Sequence, residues 1–150
     1  MFKSMYRKYI SLWLITIIAL IFISLLGCIQ KKDELAGTEW ELISLNGKDL
    51  IEGTAITLEF TETYLGGQMG CNGYGGSPDS GKYVSKSNGT FQLGDPFAVT
   101  VQLCTDPEGI MDQESEYIEA LMAASRYQIL DDRLEIVDEA GEFMLVYHQK

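Results

Sequence analysis

The chain has 150 residues, room for one domain and little more. From residue 28 on, 22 Asp and Glu face 8 Lys and Arg, a net charge of −14. A surface so acidic repels nucleic-acid phosphate and anionic lipid headgroups, which excludes nucleic acid as a direct partner and leaves cations or basic proteins as the favoured ones.

The N-terminus has its own composition. Met1 to Tyr9 carries Lys3, Arg7 and Lys8, and Ile10 to Leu26 is apolar apart from Ser11, Thr16 and Ser24. A basic start, an apolar run and a small residue at the cut site are the parts of a secretion signal. The run ends Leu25-Leu26-Gly27-Cys28, which resembles the lipobox of prokaryotic lipoproteins. That resemblance implies removal of residues 1–27 and a lipid on the Cys28 thiol. The alternative is a plain transmembrane anchor, for which the apolar run lies at the lower length limit. Either way the residues after 28 are expected outside the cytoplasm, held to a membrane, with 28–34 as a polar tether.

One domain is expected over 35–150. Trp40 and Leu42 alternate with Glu39 and Glu41, and Ile56, Leu58 and Phe60 with Thr57 and Glu59. Each pattern predicts a strand with one wet face. Asn46-Gly47 and Asn88-Gly89 predict tight hairpin turns of type I′. Residues 107–125 predict a helix, with Asp106 as its cap and Pro107 at its first position. Ile110, Tyr117, Ile118, Leu121 and Met122 would form its core stripe, with Glu108, Asp112, Glu116 and Glu119 off it. Tyr127–Leu130, Leu134 with Ile136, and Phe143–Tyr147 predict further strands, parted by Asp131-Asp132 and Glu139-Ala140-Gly141. The fold expected is α+β, a strongly curved, barrel-like and mostly antiparallel sheet with one main helix.

With Cys28 assigned to lipid, Cys71 and Cys104 remain. Two thiols outside the cytoplasm predict a structural disulfide. A zinc site lacks ligands, since His148 is the one histidine, and a redox pair would want Cys-x-x-Cys.

These residues resemble a known family. Leu35-Ala36-Gly37-Thr38-Glu39-Trp40, Gly70-Cys71-Asn72-Gly73-Tyr74-Gly75-Gly76, Thr100 with Cys104, and Met111-Asp112-Gln113-Glu114-Ser115-Glu116-Tyr117 with Leu121 resemble the META domain, the family of the heat-shock protein HslJ. The resemblance spans about residues 35–148. It implies a small antiparallel β fold in an envelope or secreted protein linked to stress and drug tolerance, supports the Cys71–Cys104 pair and supplies no catalytic residue. One position departs: where many members carry a basic residue after the Thr matching Thr100, this chain has Val101.

No catalytic residue, cofactor or metal ligand is assigned. Gly76–Lys82 spells most of a P-loop, but Tyr83 stands where Mg²⁺ needs Ser or Thr. His148 lacks a nucleophile elbow, and no loop has the calcium-binding spacing. An enzyme would need a pocket of acids around Tyr74, Asp79 or Asp95. Asn88-Gly89-Thr90 is also an N-glycosylation sequon. The expected function is non-enzymatic: a lipoprotein in envelope maintenance or stress tolerance, its partner an envelope protein or small ligand. A tethered binding module or inhibitor for a basic protein is the alternative.

Overall fold

The computed structural model describes residues 33–142 and 144–150. The expected signal, Cys28 and most of the tether lie outside the described residues, as does Phe143.

Nine strands and one helix run in the order β1 (Thr38–Leu45), β2 (Thr57–Phe60), β3 (Leu65–Gln68), β4 (Gly73–Gly75), β5 (Tyr83–Ser85), β6 (Phe91–Leu93), α1 (Ile110–Ala123), β7 (Arg126–Leu130), β8 (Arg133–Val137) and β9 (Met144–Gln149) among the described residues. Seven of the strands form one sheet in the order β4-β3-β2-β1-β9-β8-β7, and β5 pairs with β6 alone. Every pairing is antiparallel. The sheet is curved but does not close, so the fold is α+β with an open sheet.

β1 shows how sequence and pairing interlock. Strict alternation after Trp40 and Leu42 would bury Ser44, yet Leu45 is the buried residue and Ile43 is half exposed. The register against β9 shifts between Leu42 and Ser44. One extra residue in a strand moves the following side chains to the other face. The bulge at Ile43 thus lets Trp40, Leu42 and Leu45 all reach the core. They meet Leu58, Phe60, Leu134, Ile136, Leu145 and Tyr147 there, and Tyr117 and Leu121 of α1 cover them.

The turns follow backbone chemistry. Asn46 and Gly47 both take positive φ, 52° and 77°, as a type I′ hairpin turn requires. The second expected type I′ turn is different: Gly89 has φ 82° but Asn88 is not left-handed. Asn88 Oδ1 instead accepts Thr90 N at 3.1 Å and Thr90 Oγ1 at 2.8 Å. Its side chain closes the turn locally, which removes the need for positive φ at that residue.

The helix is shorter than its sequence pattern. It starts at Ile110 behind Gly109, which has φ 84° and offers no side-chain cap. Pro107 O accepts Ile110 N at 3.2 Å, so Asp106 and Pro107 belong to the preceding turn, not to the helix. The stripe is also rotated. Met122 is 57% exposed, while Gln113 and Glu114 are buried beside Ile110, Tyr117, Ala120 and Leu121. Burying two polar side chains demands partners, and these lead to the site.

Candidate functional site

Three of the resembling segments, Gly70–Gly76, Thr100 with Cys104, and Met111–Tyr117, converge where the N-terminal half of α1 meets the turn between β3 and β4, while Leu35–Trp40 leads into β1 beside β2. Glu114, 4% exposed, reaches that turn. Its Oε1 accepts Cys71 N and Asn72 N, each at 2.7 Å, and its Oε2 accepts Asn72 Nδ2 at 2.8 Å. Backbone donors turned outward at a tight turn have no strand partner, and one carboxylate satisfies two of them.

Asn72 carries the link onward to residues 98–102. Its Nδ2 also donates to Gln102 O at 3.0 Å, and its Oδ1 accepts Gln102 N at 2.7 Å and Thr100 Oγ1 at 3.1 Å. Both donors and both acceptor positions of the amide are thereby filled. Gly73 N donates to Thr100 Oγ1 at 3.0 Å. Cys71 is joined to Cys104 with Cα atoms 6.2 Å apart. The disulfide and the Asn72 amide hold the same segment at two points.

Other side chains of α1 clamp neighbouring loops. Gln113 Oε1 accepts Ile51 N at 2.7 Å, and its Nε2 donates to Thr54 Oγ1 at 3.0 Å. Glu116 accepts from Asn46 Nδ2 and Lys48 Nζ, both at 3.0 Å. The Asn46 amide and then the Lys48 ammonium hold its carboxyl below the usual carboxylate value. Gln113, Glu114, Glu116 and Tyr117 are therefore a row of ties from the helix to the neighbouring loops and sheet, while Ser115 donates within the helix to Met111 O.

Beneath it, three phenols share hydroxyl contacts. Tyr74 and Tyr117 lie 2.6 Å apart, and Tyr147 donates to Tyr117 at 3.1 Å. Tyr74 also donates to Thr57 O at 2.7 Å. Gly67, the cross-strand partner of Tyr74, makes room: a Cβ there would lie 1.9 Å from Thr57 O and 2.8 Å from the Tyr74 hydroxyl. Burial pushes the Tyr117 phenol up to about 12, and pushes Tyr74 and Tyr147 up as well. They stay neutral at physiological pH and are poor proton acceptors there.

The remaining sequence candidates are scattered. Tyr74 borders an open cleft of about 570 Å³ over β2, β3 and β4, but neither Asp79 nor Asp95 is on its wall. Gly76–Lys82 is a turn closed by Ser77 and Ser80, leading into β5 rather than a helix. His148 sits half exposed on β9, 3.3 Å from Asp132. Asn88 lies exposed on the β5–β6 turn. Among the described residues no group of three or more His, Cys, Asp or Glu is placed to hold a metal ion, and no helix is long and apolar enough to cross a membrane.

Sequence reasoning missed Glu114 and Gln113 as buried anchors. Their spacing held the signal: 110, 113, 114, 117 and 121 make one helical face, and two polar residues on an apolar face call for buried partners.

Comparison with solved structures agrees with this architecture. A protein from Burkholderia xenovorans, solved by NMR, superposes with a TM-score of 0.57 at 22% identity, covering 77% of this chain and 83% of its own. A DUF4847 family protein from Bacteroides vulgatus gives a TM-score of 0.53 at 16% identity, covering 77% and 94%. At these identities the likeness is one of fold. No curated protein is significantly similar in sequence. The model of the META domain matches residues 33–150. That span holds the Gly-Cys-Asn turn, the disulfide and the helix that ties them, and the chain belongs to the META domain family.

Proposed function

We propose that the protein is a membrane-tethered, extracytoplasmic lipoprotein whose META domain works by binding an envelope component, in envelope maintenance or stress tolerance, and not by catalysis. The observation that carries the tethering is the sequence Leu25-Leu26-Gly27-Cys28 after a basic, apolar leader. It stands a few residues ahead of the family domain, which begins at residue 33. The non-catalytic reading is supported by the polar centre. The carboxylate of Glu114 is occupied by three donors and the amide of Asn72 is fully engaged, so both groups serve the fold. A catalytic acid or base needs a free position facing substrate.

The test is metabolic labelling with an alkynyl fatty acid in a lipoprotein-processing bacterium. The wild-type chain is expected to take the label and stay with membranes, and Cys28→Ala to lose both. Equal labelling of the two, or an unlabelled wild type released as a soluble protein, overturns the tethering.

A further inference from the structure

Residues 98–103 run along the outer side of β4. Ala98 O accepts Gly75 N at 2.9 Å, Thr100 N donates to Gly73 O at 2.9 Å, and Gln102 N donates to Asn72 Oδ1 at 2.7 Å. The even-numbered residues thus spend their backbone groups inward. Successive residues of extended chain aim N–H and C=O at opposite edges, so Val99, Val101 and Leu103 aim theirs away from the sheet. Val101 is 98% exposed and Leu103 81%, so nothing among the described residues covers this margin. Sheet edges left open to solvent are usually blunted by a Lys, a Pro or a covering element. This one presents apolar side chains instead. A cleft of about 220 Å³ lies beside it, walled by Val99, Val101, Met69, Met111 and Ile118.

The charge around the edge selects the occupant. No Lys or Arg occurs between Lys86 and Arg126. Asp106, Glu108, Asp112 and Glu119 are all exposed in that interval. A second copy of the chain would bring two acidic rims together, which costs energy at low salt. A basic partner is attracted by the same rims.

We propose that residues 99–103 accept an extended segment of a partner protein as an added strand, its alternate apolar side chains facing the cleft and its Lys or Arg flanks meeting the acidic rim. Main-chain hydrogen bonds would supply the pairing and the cleft the side-chain preference. This rests on the binding reading of the domain, but its test is independent of Cys28: failure at the edge leaves the lipid labelling unaffected, and the reverse.

The test uses the isotope-labelled full chain in detergent micelles, titrated at low salt with the peptide Lys-Lys-Val-Thr-Val-Thr-Val-Lys-Lys. The expected result is amide shifts confined to Val99, Val101, Leu103 and the facing turn of α1, with slowed hydrogen exchange at those three amides. Affinity should fall about tenfold or more when Glu replaces the flanking Lys, in one of the two peptides N-methylated on alternate amides, and in Val101→Pro, which has no N–H to offer. Val101→Thr keeps the N–H and should bind like wild type. Shifts centred elsewhere, equal affinity for the Glu-flanked peptide, indifference to both methylation patterns, or an edge already protected by dimerisation would each overturn the proposal.

Discussion

Glu114 concentrates the physics of this fold. A carboxylate is an expensive group to bury, and it persists here because three donors meet it at 2.7–2.8 Å. Gln at the same position keeps the shape but carries one oxygen where two are needed. If that oxygen faces the Cys71 and Asn72 amides, its NH₂ group abuts the NH₂ of Asn72. Glu114→Gln is therefore expected to destabilise the domain by about 1–3 kcal/mol, read as a lower urea midpoint at unchanged slope. A midpoint equal to wild type would show that the charge adds nothing. The three buried phenols make a second prediction at this scale. The Tyr117 phenol titrates near 12 in the folded protein but near its ordinary value of about 10 when unfolded. Between those values the native state holds more protons, so stability is complete below about pH 10 and falls as pH rises toward 12. Tyr74 and Tyr147 act in the same direction. Thermal midpoints measured across that window should drop, and part of the tyrosinate absorbance should appear only with unfolding. Full ionisation near pH 10 without loss of structure would contradict the burial.

At the scale of elements, two ties hold residues 98–104 to the body. The Cys71–Cys104 bond closes a loop with a sequence separation of 33, worth about 3–4 kcal/mol in the chain-entropy description. The Asn72 amide does not depend on it. Reduction is expected to lower unfolding stability by about that amount while the far-ultraviolet circular dichroism stays native under mild conditions. Collapse on reduction alone would mean that the polar tie is weaker than its geometry implies. Much at this level was legible in the chain. β1 as far as Leu42, β2 and β8 follow their alternation, β7 and β9 lie where the sequence predicts strands, and the Asn46-Gly47 turn follows its residue types. The misses have specific causes. The bulge at Ile43 is a response to pairing with β9, which lies a hundred residues on. The helix begins later than Pro107 because Gly109 turns left-handed ahead of it. Met122 faces water because Gln113 and Glu114 occupy the core side. The β9 partner of the bulge and the turn that engages Glu114 are remote in sequence, whereas the helix start is set locally by the left-handed Gly109.

For the whole molecule, sequence and structure speak to different halves of the account. The cysteine pair and the Gly-Cys-Asn block could be read directly, because a disulfide and a tight turn demand particular residue types. The outer edge at 99–103 could not. Its availability depends on Gly73, Gly75 and Asn72 turning the even-numbered groups inward. In the proposed reading address and architecture meet at Cys28, where a lipid would leave two cysteines to pair in the domain and would hold the domain beside a membrane. Intact mass spectrometry of the membrane-extracted protein, after alkylation without reduction, reads both at once. The account predicts a chain that begins at Cys28, carries a diacylglyceryl group and takes no alkyl group at Cys71 or Cys104. A mature chain that keeps residues 1–27, or begins elsewhere without lipid, would contradict it.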